Sequence, residues 1–195
     1  MTTDTRSTVR FDRIERAQAM MQEQGVAAIV VMNHDDYRWF FGIDRAQPRA
    51  IIPATGAPAL IAFTAEEEEL RTLLGGPEIM SWGSLGGQIN DVVSRLREIA
   101  AEVTAVAPVP SAHLRVAMQQ WFETPAFLVE MFRKVNPGME LVSSDPIMDP
   151  LRAVKEPAEI ASMTEAQRIA GIGMDRARTL LRDGANAHEI ATEAL

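Results

Sequence analysis

Residues 26–32 read Val-Ala-Ala-Ile-Val-Val-Met, an unbroken apolar run of seven rich in β-branched side chains. Seven residues fall far short of the roughly 20 that a membrane-spanning helix needs. The run suits a short strand buried on both faces, which demands a packed layer on each side. The preceding segment supplies one such layer. Phe11, Ile14, Ala17 and Met21 recur at helical spacing, which predicts an amphipathic helix over residues 8–24 with Gly25 as its C-cap. A helix followed by a doubly buried strand opens an α/β layered fold.

The chain continues in the same style. Asn33 to Asp36 are turn formers, and Asp35 is placed to cap a short helix that runs through Phe41 and stops at Gly42. Residues 50–53 and 59–63 flank Thr55-Gly56-Ala57-Pro58, a β-hairpin pattern. Thr64 and Glu67 form a capping box, and Glu66 to Glu69 set negative charge at the positive end of the next helix, so the acidic run needs no ligand. Gly75-Gly76-Pro77 stops that helix before a strand at 78–82. A second amphipathic helix is predicted over 90–101 on Val92, Val93, Leu96 and Ile99, then a strand at 103–109 with Pro108 and Pro110 marking an edge or an end. Helical pattern resumes at Ser111, passes Trp121 and Phe122, and covers 125–134; residues 139–143 make a last strand. The sum is a three-layer α/β/α domain over 1–145, with a mixed sheet of five or six strands.

Beyond it, 145–150 read as a Pro-punctuated connector. Pro157 and Gly184 then bracket one long helix of about 26 residues, roughly 39 Å at 1.5 Å per residue. Ile160, Met163, Ala166, Ala170, Met174, Ala177 and Leu181 form its single apolar stripe. A further helical pattern from Ala187 reaches Leu195 without a cap. Residues 146–195 are therefore expected to be a linker and the first helices of a second, truncated domain.

Charge and composition narrow the function. Lys and Arg number 19 against 27 Asp and Glu, a net charge of −8. A pI near 4.9 argues against phosphate neutralisation, so no nucleic-acid partner is expected. Without cysteine there is neither a disulfide framework nor thiolate chemistry, and with no apolar secretory segment the cytoplasm is the expected compartment. No membrane association is expected. The three histidines, His34, His113 and His188, stand far apart and outside any metal-binding spacing; His34-Asp35-Asp36 reads as a polar turn after a strand. Gly83-Ser-Leu-Gly-Gly87 lacks the Lys-Ser/Thr of a phosphate loop, and no nucleophile elbow is present. The distinctive stretch is Tyr37-Arg-Trp-Phe-Phe-Gly-Ile-Asp-Arg45, continuing to Arg49. Aromatic and arginine residues after a buried strand mark a binding edge. At least two of Trp39, Phe40 and Phe41 are expected in the core, with Arg45 and Arg49 reaching outward.

Three segments together resemble the creatinase/prolidase family. Arg10-Phe-Asp-Arg-Ile-Glu-Arg16, Met21 to Val31, and Tyr37 with Gly42 resemble the opening of its N-terminal domain. Pro150-Leu-Arg-Ala-Val-Lys-Glu-Pro-Ala-Glu-Ile-Ala-Ser-Met-Thr-Glu-Ala166 resembles the start of its catalytic "pita-bread" α+β domain, and residues 182–191 resemble the next helix start. The resemblance implies a dimeric two-domain metallohydrolase of the Xaa-Pro dipeptidase or aminopeptidase type, acting on a small peptide or small amide. It implies two divalent metal ions, held by two Asp, one His and two Glu that would all lie beyond Leu195, so this chain holds no catalytic and no metal-binding residue and is expected to be inert alone. The loop after the strand preceding Tyr37 would reach toward the partner's active site in a homodimer, which makes Asp44, Arg45 and Arg49 the substrate-proximal candidates. Arginine suits a substrate carboxylate. Creatinase-type hydrolysis of another C–N substrate, or a metal-free relative acting as a peptide-binding module, are the alternatives within the resemblance; a stand-alone α/β interaction domain would leave the long helix unexplained.

Overall fold

The computed structural model describes residues 8–45, 49–74, 78–82, 114–119, 124, 126–135, 137–181 and 186–194, and in it the apolar run becomes the centre of a sheet. Strand β1 (Ala28–Val31) is buried along its whole length. It pairs antiparallel with β2 (Ala50–Pro53) and, on its other edge, parallel with β5 (Leu114–Met118). The strands β3 (Ala59–Phe63), β4 (Glu78–Trp82) and β6 (Met139–Ser143) complete six strands among the described residues, in the order β4-β3-β2-β1-β5-β6. β2 and β3 form the expected hairpin, while β3 with β4 and β5 with β6 run parallel. The sheet is mixed.

Alternation along β1 explains why its sequence is apolar throughout. Ile29 and Val31 point to one face, under Ile14, Ala17 and Met21 of α1 (Phe11–Gln24) and Phe40 and Phe41 of α2 (His34–Phe41). The same cluster takes in Leu70 and Leu74 of α3 (Glu67–Leu74), which follows a 3-10 turn at Thr64–Glu66. Ala28 and Val30 point to the opposite face, with Ile51, Val116 and Met118, against Val129 and Phe132 of α4 (Ala126–Val135). Helices therefore cover both faces, and the three-layer α/β/α arrangement holds. Glycines end α1 and α2 as the sequence predicts: Gly25 and Gly42 adopt left-handed φ of 64° and 70°.

Four local expectations are corrected. Helix α1 starts at Phe11 rather than residue 8, because Arg10 has a non-helical backbone (φ −94°, ψ 76°) with its amide turned to the Phe40 carbonyl (2.8 Å), and Phe11 is left 43% exposed. Residues 114–118, expected within a helical stretch, are β5; Leu, Arg, Ala and Met favour helix locally, and two parallel neighbours override that preference. The expected connector at 145–150 is the helix α5 (Asp145–Ala153). Pro146 sits in its first turn, where a missing N–H costs nothing, and Ile147, Met148 and Leu151 lie on one side and are buried in the same cluster as α1. The outward reach expected of Arg45 is also corrected, as described below: Glu66 and Glu69 draw its guanidinium inward. The elements predicted over 90–101 and 103–109, Trp121, Phe122, His113 and the Gly83–Gly87 loop lie outside the described residues.

The chain divides into two compact units, Met1–Leu151 and Arg152–Leu195. Within the second, α6 (Pro157–Leu180) has Pro157 at its first position, and the Glu159 carboxylate accepts the Glu156 amide at 2.8 Å. It ends at Leu180, short of Gly184, with Leu181 already in extended geometry. Ile160, Met163, Met174 and Leu181 of the predicted stripe are exposed. Helix α7 (Ala187–Ala194) packs back on α6, its first turn closed by Asn186 Oδ1 accepting the His188 amide at 2.8 Å. No helix among the described residues is long and apolar enough to cross a membrane.

Candidate functional site

The turn that leaves α2 carries the chemistry the sequence singles out. Tyr37, Trp39, Phe40 and Phe41 are all buried, so all three residues of the Trp-Phe-Phe run are core. Trp39 meets Phe40 edge-on at 4.9 Å between centroids, and Tyr37 meets Phe41 at 4.9 Å. From α1, the buried Arg13 donates from Nη1 to the Trp39 carbonyl at 2.9 Å while its guanidinium carbon lies 4.7 Å from the centre of the indole. That clasp fixes α2 against α1 and sets where the following turn emerges. Gly42 makes the turn possible: a Cβ there would sit 2.8 Å from the Thr8 carbonyl oxygen, and the φ of 70° is left-handed.

Past Gly42 the chain places Asp44 back beside the start of the same helix. His34 Nδ1 lies 2.8 Å from Asp44 Oδ1, and the Arg45 amide donates to the same oxygen at 2.9 Å. Both side chains are about half exposed, at 46% for His34 and 51% for Asp44. The hydrogen bond from His34 holds the Asp44 carboxyl below the usual carboxylate range; the Arg45 amide and the charge of Arg38 add to it.

Arg45 turns the other way. Its guanidinium pairs with Glu66 and, at 3.3 Å, with Glu69, leaving the side chain 14% exposed. Two glutamates of the acidic run thus hold an arginine from the preceding turn, and the run does more than complement the dipole of α3. Tyr37 lies beside this network. Burial pushes its phenol well above the usual tyrosine range, Arg45 opposing and Glu66 reinforcing the shift. Arg49 stands at the entry to β2 with its carbonyl accepting the Ile61 amide at 3.0 Å, and burial lowers its guanidinium pKa.

Of the three predicted residues, the structure sets Asp44 and Arg45 in one turn with opposite engagements, and Arg49 at the start of β2. The sequence reading missed His34 as a member of this group, and missed Glu66 and Glu69 as partners of Arg45. The only local signal was the spacing of His34, the first residue of an eight-residue helix closed by glycine, and Asp44 just past that glycine. Among the described residues no three His, Asp or Glu side chains converge to hold a metal ion. What the turn can do chemically is present a fixed, partly exposed carboxylate.

The family model described as Creatinase/Prolidase N-terminal domain matches residues 13–154. Among solved structures, the chain is similar to the prolidase of Thermococcus sibiricus, with a TM-score of 0.75 at 17% identity, over 93% of this chain and 47% of that one. It is also similar to a Xaa-Pro dipeptidase from Bacillus anthracis, with a TM-score of 0.72 at 18% identity over 94% and 47% of the two chains. The dipeptidase PepE of Mycobacterium ulcerans gives 0.69 at 20% identity, over 98% and 50%. The chain spans about half the length of these relatives. At such identities the likeness is one of fold. No curated protein matches the chain significantly.

Proposed function

The chain belongs to the Creatinase/Prolidase N-terminal domain family, and from that premise we propose that it is the N-terminal portion of a Xaa-Pro dipeptidase- or aminopeptidase-like metallohydrolase, serving dimerisation and substrate gating. The observation that carries the reading is the reach of the likeness: it runs past the family domain and takes in almost the whole chain, in proteins whose names are prolidase and dipeptidase. In this reading a cytoplasmic homodimer acts on a small peptide or small amide. Two divalent metal ions belong to a catalytic half beyond residue 195, where paired metals supply hydroxide at neutral pH and stabilise the tetrahedral oxyanion. In this reading the metal ligands belong to that half, and the 195 residues alone are inert. Asp44, Arg45 and Arg49 lie near the substrate of the partner subunit.

The test is to express the complete reading frame, load it with manganese and assay alanyl-proline. Release of proline that stops on chelation is the expected result. A frame that encodes no set of two Asp, one His and two Glu downstream, or a metal-loaded protein that leaves Xaa-Pro dipeptides intact, would overturn the reading.

A further inference from the structure

We propose that the outer edge of β6 pairs antiparallel with the β6 of a second copy of this chain, about a two-fold axis through Leu141, so that two six-stranded sheets join into one. The inference rests on the homodimer of the reading above; what it adds is the surface and the register.

β6 is the last strand on its side of the sheet, and among the described residues no strand lies beyond it. A strand in that position presents a row of main-chain N–H and C=O groups, and folds ordinarily blunt it with a bulge, a proline, a lysine or a free charge. Met139–Ser143 has none of these. Its register with β5 is unbroken over all five residues, and it reads Met-Glu-Leu-Val-Ser. The one charge, Glu140, is met from the inner neighbour by Arg115 at 3.4 Å. The strand is also held from both sides, since Met139 and Leu141 pack against the cluster on one face and Val142 against that on the other. What remains at the rim is straight, neutral backbone.

Charge and sequence both fit a second copy to this edge. The chain carries a net charge of −8, so two copies repel in general, whereas at β6 they meet where Glu140 is already balanced by Arg115. The strand is also complementary to itself. Opposed residues of an antiparallel pair share a face, so the axis has to run through a residue. An axis through Leu141 pairs the whole strand: Leu141 with its counterpart, Glu140 with Val142, and Met139 with Ser143. An axis through Glu140 would set two carboxylates opposite each other, which destabilises a pair. An axis through Val142 would carry Met139 past Ser143 to face the first residue of α5. The two-fold contact closes after two copies and leaves no open edge on that side.

These 195 residues contain no cysteine, so introduced thiols report the register. In protein from the complete reading frame, light scattering is expected to give the mass of a dimer. Leu141→Cys then stands opposite its own copy with Cα atoms about 5 Å apart, inside the range a disulfide spans, and oxidised glutathione should convert most of it to covalent dimer. Ser143→Cys stands roughly 14 Å from its copy, four residues along at about 3.4 Å each, and should give roughly tenfold less. The unsubstituted protein corrects for any other thiol in the frame. The double variant Met139→Cys/Ser143→Cys crosslinks again in this register, and it keeps the test open should the fold not tolerate the loss of Leu141. A dimer in which neither Leu141→Cys nor the double variant crosslinks, or in which Ser143→Cys crosslinks as readily as they do, overturns this inference while the dimer of the parent reading stands. An unsubstituted protein that stays monomeric overturns both.

Discussion

Gln24 donates from Nε2 to the main-chain oxygen of Pro146 at 3.2 Å, and Pro146 stands four residues before Pro150, inside α5. Proline has no N–H, so Pro150 cannot bond the carbonyl one turn back, and an interior proline ordinarily costs a helix about 3 kcal/mol or more. The last residue of α1 supplies the missing donor. The carbonyl of Gln24 is in turn held by Arg115 Nη1 at 2.5 Å, which ties this repair to β5.

Gln24→Ala should therefore destabilise the chain by about 1 kcal/mol, the net worth of one hydrogen bond. The informative measurement is a double-mutant cycle by urea unfolding. In a Pro150→Ala background the helix regains its own N–H donor for the Pro146 carbonyl, and the cost of Gln24→Ala should shrink toward zero. Equal costs in both backgrounds would mean that the side chain does not compensate for the proline.

Gly42 and Gly25 both adopt left-handed φ, yet only Gly42 is crowded, with the Thr8 carbonyl oxygen 2.8 Å from where a Cβ would sit. Gly25→Ala should cost about 1 kcal/mol, the conformational penalty alone. Gly42→Ala adds a clash with backbone and should cost about 2–3 kcal/mol, within the range for over-determined strain. Denaturant midpoints of the two variants, compared at equal m-values, decide this; an equal loss would show that the segment at Thr8 yields freely.

Tyr37 is the chain's single tyrosine, so absorbance of the phenolate reports on it alone. Its folded pKa is raised by burial, whereas the unfolded chain ionises at about 10. Above that pH the folded state binds the extra proton, and stability is expected to be intact below pH about 10 and to fall as pH rises beyond it. Phenolate absorbance should thus appear together with the loss of helical circular dichroism at alkaline pH. Ionisation near pH 10 in a chain that keeps its ellipticity would show that the ring is not buried as described.

Much of the layer structure was readable in the chain because its signals are local. The run at 26–32 had to be a doubly buried strand, and both faces of β1 are covered. Gly25 and Gly42 were legible as helix ends, and Pro157 as a helix start. The misread segments share a cause: local preference and tertiary demand point in opposite directions there. Leu114 to Met118 carry helix-forming residues yet fill a slot between two parallel strands. Residues 145–150 contain two prolines, which read as punctuation until Ile147, Met148 and Leu151 are seen to bury together and Gln24 is seen to supply a donor.

The sequence by itself determined the class of fold and the order of strand and helix through the first 82 residues, because hydrophobic period and glycine placement act over a few residues; the turn after α2 stood out by composition alone. Only the tertiary structure decided the roles within that turn. Whether Arg45 faces outward or inward depends on Glu66 and Glu69, more than twenty residues away, and the setting of Asp44 depends on a histidine ten residues back across a helix. Charge pairing follows distance in space rather than along the chain, and an unpaired buried or half-buried charge is costly enough that the fold resolves it by bringing such partners together.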